Sequence, residues 1–209
     1  MTRYWVAAVA AVALGGLGAG RVVGQKHPKA PGKGAPGKAL ISPSPRPPAA
    51  VALIHPNGLA LDAAGILFIT DIETHRLLKL DRQGVLIAVA GTGEGGFSGH
   101  GTAAATARLF APHDVAPDAA GNLLVADTYN HRIRRVDRKG IITTVAGNGS
   151  GRYAGDHGPA RKASLNNPQG IAVGGDGSLF IADTYNHVVR RVDPKGMITT
   201  FAGTQAGLA

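Results

Sequence analysis

Asp71, Asp127 and Asp183 are each followed four residues later by a histidine: His75, His131 and His187. Carboxylate and imidazole together suit a metal site, zinc or calcium being the candidate ions. His113, preceded by Pro112 and followed by Asp114, adds a further imidazole and carboxylate pair. The glycine patterns Gly91-x-Gly93 and Gly147-x-Gly149-x-Gly151 resemble loops that cradle phosphate, but no Lys-Ser/Thr and no helix start follows them, so a phosphate site is not expected.

The spacing of these residues restrains the metal reading. The three Asp-His pairs recur at a fixed step of 56 residues, as do Pro56, Pro112 and Pro168, and Gly91, Gly147 and Gly203. Side chains in equivalent positions of stacked repeats spread out and do not converge on one ion at about 2 Å. An Asp at a tight turn has a structural task, accepting backbone N–H bonds as an Asx turn, and that role is expected of all three. His113 differs, because its counterparts are Asn57 and Gln169, so the repeat does not demand it.

Each unit divides into four short strands. In the second they are Asp114 to Ala116, Leu123 to Ala126, Arg132 to Val136 and Ile141 to Ala146, separated by turns with Asp at the start and, in two cases, Gly at the end. The second strand is apolar on both faces in every unit: Leu67-Phe68-Ile69, Leu123-Leu124-Val125 and Leu179-Phe180-Ile181. A strand buried on both sides requires a neighbour on each side, which predicts four-stranded antiparallel blades stacked radially, an all-β propeller. The blades span about 56–91, 112–147 and 168–203 within a segment 51–209.

The units resemble NHL repeats, in the stretches Pro168-Gln169-Gly170-Ile171-Ala172-Val173, Phe180-Ile181-Ala182-Asp183-Thr184 and Asn186-His187-Val188-Val189. That resemblance implies a propeller that closes with about six blades. Three blades therefore imply a fragment of a longer ring, a homodimer that completes one, or an open arrangement with an exposed apolar blade face, with truncation preferred to dimerisation. It also implies a choice of functions, since members include ligand binders, sensor domains, RNA-binding modules and lyases. In the lyases a His after a blade-opening Pro holds zinc, which Pro112-His113 resembles. Such a site takes three protein ligands, and no equivalent His follows Pro56 or Pro168.

In a propeller the connectors and the turns between second and third strands share one face. The candidate ligand face is accordingly Asn57, His113, Asp114 and Gln169 at the channel mouth, with Tyr129, His131, Tyr185 and His187 on the turns. The expectation is a non-enzymatic scaffold for a protein, peptide or glycan, with a lyase or lactonase bearing a channel metal as the alternative. No cofactor is required, and zinc or calcium is the ion kept open. Asp156, His157 and His100 in the connectors are expected to face solvent.

Charge excludes less than it first suggests. The net charge is +9, yet the first fifty residues hold seven basic groups and no acidic ones, leaving the repeats at only +2. Arg132, Arg134, Arg135, Arg190 and Arg191 are expected to form a solvated flank, and no nucleic acid is expected. Residues 1–25, with Arg3 ahead of the apolar run Trp5 to Ala19, are expected to be a signal peptide or signal anchor. Residues 26–50, with seven prolines among glycines and lysines, are expected to be an extended linker. Both point to a secreted or extracytoplasmic protein that contacts a membrane only through these segments.

Overall fold

The computed structural model describes residues 52–204; the leader and linker lie outside the described residues. In the first unit Pro56–Leu61 (β1), Leu67–Asp71 (β2), Arg76–Leu80 (β3) and Leu86–Ala90 (β4) form one antiparallel sheet in sequential order. The connector contributes Thr102–Ala103 (β5). The second unit holds Pro112–Pro117 (β6), Leu123–Asp127 (β7), Arg132–Val136 (β8) and Ile141–Ala146 (β9). Gly158–Pro159 (β10) precedes the third unit, made of Pro168–Val173 (β11), Leu179–Asp183 (β12), Val188–Val192 (β13) and Met197–Ala202 (β14).

Four hairpin-linked strands per blade match the sequence expectation, and two features extend it. β5 pairs with β9 and β10 pairs with β14, so the connector leading into a blade adds a fifth, two-residue strand to its outer edge. The first strand of the second blade starts two residues earlier than expected. It carries a bulge: Pro112 pairs with Asp127 and Asp114 with Ala126, leaving His113 as the extra residue. Gln169 is the extra residue of the same bulge in β11, and in β1 the shift falls between Pro56 and Leu59. A bulge re-aims a side chain without ending the strand.

The apolar cores lie between blades. Phe68, Leu77 and Ala90 of blade one meet Val115, Val125 and Ile142 of blade two, and Ala104, Ala107 and Leu109 of the connector seal the contact. Leu124, Ile133 and Ala146 of blade two meet Ile181, Val192 and Ile198 of blade three, sealed by Ala160, Ala163 and Leu165. This is why the second strands are apolar on both faces. The inner strands β1, β6 and β11 stand side by side, which brings the bulged positions Asn57, His113 and Gln169 to one end of three neighbouring strands.

The arginine flank requires correction. Arg134 and Arg190 are fully buried, and only Arg135 of β8 is exposed. Arg134 Nη1 lies 3.2 Å from Asp127 Oδ2, and Arg190 Nη1 lies 3.4 Å from Asp183 Oδ2. The connector folds over both: Arg134 donates to the carbonyls of Ser98 and Gly99, and Arg190 pairs with Asp156 at 2.6 Å. Phe97 and Tyr153, at equivalent positions, cover the two guanidinium groups at 4.8 Å. Asp156 is thus committed to Arg190 and to the Tyr153 hydroxyl, and His100 accepts from the Thr144 N–H. Asp156 is therefore not a free solvent-facing group, whereas His100 and His157 are exposed as expected.

Candidate ligand face

The stretch Ala-Asp-Thr-Tyr-Asn-His can be built up residue by residue. Asp127, fully buried, accepts the Phe110 N–H at 2.7 Å from a point 17 residues upstream, and Asp183 accepts the Asn166 N–H in the same way. The expected Asx turn occurs only in blade one, where Asp71 accepts from Thr74, three residues on. The Thr128 hydroxyl donates across to the Pro168 carbonyl at 2.7 Å. Asn130 ties the carboxylate of Asp127 to the Gly96 carbonyl, and Asn186 ties Asp183 to Arg152. His131, at φ 52°, accepts the Asn167 N–H on Nδ1, as His75 accepts that of Ala111. Tyr129 gives its N–H to Phe110 and leaves its ring outside. In blade two Asp127, Thr128, Asn130 and His131 are thus spent on holding blades and connectors together, and the Tyr129 ring is left outside.

The charges follow from this. Burial pushes Asp127 up to about 6, against the opposing pull of the Phe110 N–H, Asn130 and Arg134. Asp183 is likewise raised by burial. In Asp71 burial also pushes upward, but the N–H groups of Thr74, Ile54 and His55 outweigh it and hold the acid below its ordinary value. His131 is lowered by burial and by the neighbouring Arg132.

Asp114 is another of the expected ligand residues that the fold employs. Its carboxylate accepts the Ile171 N–H at 2.9 Å and the Val115 N–H at 2.8 Å, a tie from β6 to β11, and burial raises its pKa. The glycine patterns are structural too. A Cβ on Gly149 would come within 2.3 Å of the Arg132 guanidinium, and its φ of 93° suits only glycine. Arg132 uses that space to donate to Asn148, 2.8 Å away.

Four rings remain that form a connected surface row. His75 meets Phe110 edge-on at 5.4 Å, Phe110 meets Tyr129 edge-on at 5.3 Å, and Tyr129 lies 6.2 Å from His113. Phe110 is 38% exposed and Tyr129 50%. Such edge-to-face geometry is the favoured arrangement of aromatic pairs. His113 is fixed within the row because its Nδ1 lies 2.9 Å from the Ala111 carbonyl. A carbonyl only accepts, so Nδ1 carries the proton and Nε2 of the neutral ring keeps a lone pair.

The structure thus brings His113 and Tyr129 together. It leaves Tyr185 and His187 exposed one blade further on, and Asn57 and Gln169 on neighbouring inner strands. Phe110 was not among the expected residues. The signal for it was present: its counterpart 56 residues later is Asn166, a departure from the repeat of the same kind as His113. Among the described residues no three His, Asp or Glu side chains gather as a metal site.

Radially stacked antiparallel sheets with inner strands side by side define a β-propeller segment of three blades, not closed into a ring. The NHL repeat model matches residues 111–136, and the teneurin NHL domain model matches residues 149–208. The chain carries NHL repeats. NHL repeat-containing protein 2 from Bos taurus is 36% identical over 154 residues, and that from Homo sapiens 35% over 153; each alignment covers 66% of this chain and 20% of the relative. The chain therefore spans about a fifth of these relatives. Among solved structures, a Bacteroides thetaiotaomicron protein of unknown function aligns with TM-score 0.57 at 19% identity, covering 68% of this chain and 34% of that one. A gluconolactonase from Xanthomonas campestris aligns with TM-score 0.52 at 21% identity, covering 72% and 48%. These structural likenesses bear on the fold alone.

Proposed function

We propose that this chain is a binding module that recognises a peptide, protein or glycan on its loop face, with Phe110, Tyr129 and His113 as the contact row. The observation that carries the reading is the continuous row of rings on a face where the neighbouring side chains Asp127, Thr128, Asn130 and His131 are consumed by blade joints. Exposed aromatic planes stack on prolyl rings, sugar faces and other aromatics with little ordering cost, since each ring has only two rotatable bonds. In this reading the ligand is met outside the cytoplasm, which the basic and apolar composition of residues 1–25 supports.

The test is a peptide and glycan array probed with the full chain, then repeated with Tyr129→Ala. Tyr129 is half exposed, so its loss leaves the fold intact while removing the centre of the row. Selective hits that weaken at least about tenfold in the variant support the reading, on the scale of a lost aromatic anchor. Hits indifferent to Tyr129 overturn it. A lyase or lactonase is the second reading, and the observation favouring it is the free Nε2 of His113. Stoichiometric zinc in the purified chain, lost in His113→Ala, would favour that alternative.

A further inference from the structure

The two blade interfaces of this chain are built from the same repeat positions, and both flanks of the segment carry those positions again. Blade one offers Phe68, Leu77 and Ala90 to blade two, and blade two offers Leu124, Ile133 and Ala146 to blade three. One step further, blade three bears Phe180, Val189 and Ala202. Beside them Phe201, the counterpart of the core-packed Val89 and Val145, meets Phe180 edge-on at 5.1 Å and is 62% exposed.

The receiving side repeats in the same manner. Val115 and Ile171 bring the inner strand of the second and third blades into the cores, and Val173 joins the latter. Their counterparts in blade one are Leu59 and Leu61, 63% and 64% exposed. A polar joint recurs as well. The Thr128 hydroxyl reaches the Pro168 carbonyl of the next blade, whereas Thr184, one step on, bonds only the Ala182 carbonyl of its own blade among the described residues.

We infer that the outgoing face of blade three, around Phe180 and Phe201, seats on the incoming face of blade one, around Leu59 and Leu61, of a second copy of this chain. The complementarity is already demonstrated twice within the chain, by two interfaces that use the same positions. Faces of opposite kind meet head to tail, and such contacts form rings when the rotation closes. Propellers typically hold about 4–8 blades, so two chains of three blades fall inside that range and three chains fall outside it. Thr184 of one copy then stands toward Pro56 of the other as Thr128 does toward Pro168.

Light scattering and sedimentation of the full chain test this, with Leu59→Asp and Phe201→Asp as variants at exposed positions outside the buried cores; the second also removes the Phe201 contact with Phe180. The native chain is expected at twice its 21.2 kDa mass. Each variant alone is expected to be monomeric, with dimer affinity reduced at least about 100-fold, because a charge is forced into an apolar joint. A mixture of the two variants retains one intact joint and is expected to associate. A native monomer overturns the inference. So does a dimer that ignores both substitutions, or one sensitive to only one of them, which would show like faces meeting. Far-UV circular dichroism on each variant separates loss of association from loss of folding.

Discussion

His75 and His113 hold opposite ends of one residue: His75 Nδ1 accepts the N–H of Ala111 at 3.2 Å, and His113 Nδ1 donates to its carbonyl at 2.9 Å. Ala111 sits at φ 48°, a conformation that L residues adopt rarely, directly before the proline that opens blade two. The two imidazoles are therefore of opposite tautomer when neutral. Long-range nitrogen NMR at pH 8 is expected to place the proton on Nδ1 in His113 and on Nε2 in His75. Substituting His75 by Ala leaves the Ala111 N–H unpaired and is expected to cost about 1–3 kcal/mol.

The Arg134–Asp127 pair is expected to behave as a buried pair whose desolvation outweighs its attraction, since burial pushes both groups toward their neutral forms. The buried Nε of Arg134 also has no partner among the described residues. Blade one shows the alternative: Leu78 occupies the arginine position, and backbone N–H groups satisfy Asp71. Arg134→Leu is expected to destabilise by about 3–5 kcal/mol in urea unfolding. The double variant with Asp127→Asn is expected to lose markedly less than the sum of the two single changes.

The same carboxylate gives a pH dependence of definite sign. Asp127 binds its proton more tightly when folded, at about 6 against 3.8. Its contribution is fully present below pH 3.8 and is lost as pH rises through 6. Asp71, held below its ordinary value, works the other way, and its contribution is lost as pH falls below 3.8. Thermal unfolding of Asp127→Asn across pH 4 to 7 is expected to lack the decline that Asp127 imposes on the native chain.

Exchange of the single aromatic difference between connectors tests the ligand row. Phe110→Asn copies the connector of blade three and is expected to weaken ligand binding about tenfold or more. Asn166→Phe places a ring beside Tyr185, because the Tyr185 N–H bonds the Asn166 carbonyl as Tyr129 bonds Phe110. It is expected to raise apparent affinity for a repetitive ligand, measured by calorimetry against the native chain.

The repeat made the blades legible because each strand is bounded by local turn chemistry. Arg132–Val136 and Ile141–Ala146 fall where the residues alone put them. What could not be read locally is what depends on partners far along the chain. Arg134 looks like a surface charge until a connector some 35 residues earlier folds over it. The Asp of each motif reads locally as a turn former, yet in all three blades it accepts an N–H from 17 residues upstream, and only Asp71 also makes the turn bond. The bulge at His113 breaks the alternation between Pro112 and Asp114, so the local pattern starts only after β6 has begun. Phe110 belongs to no motif, and only subtraction of one repeat from the next reveals it.

The two-residue strands β5 and β10 carry one more consequence. An outer strand whose N–H and carbonyl groups face solvent is a template on which another chain can add, the first step toward fibrils and inclusion bodies. β5 occupies that edge on β9, and β10 occupies it on β14, while β4 ends its sheet without such a strand among the described residues. The connectors thus act as guards against aggregation at two outer edges, and among the described residues the outer edge of blade one is the one they leave uncovered.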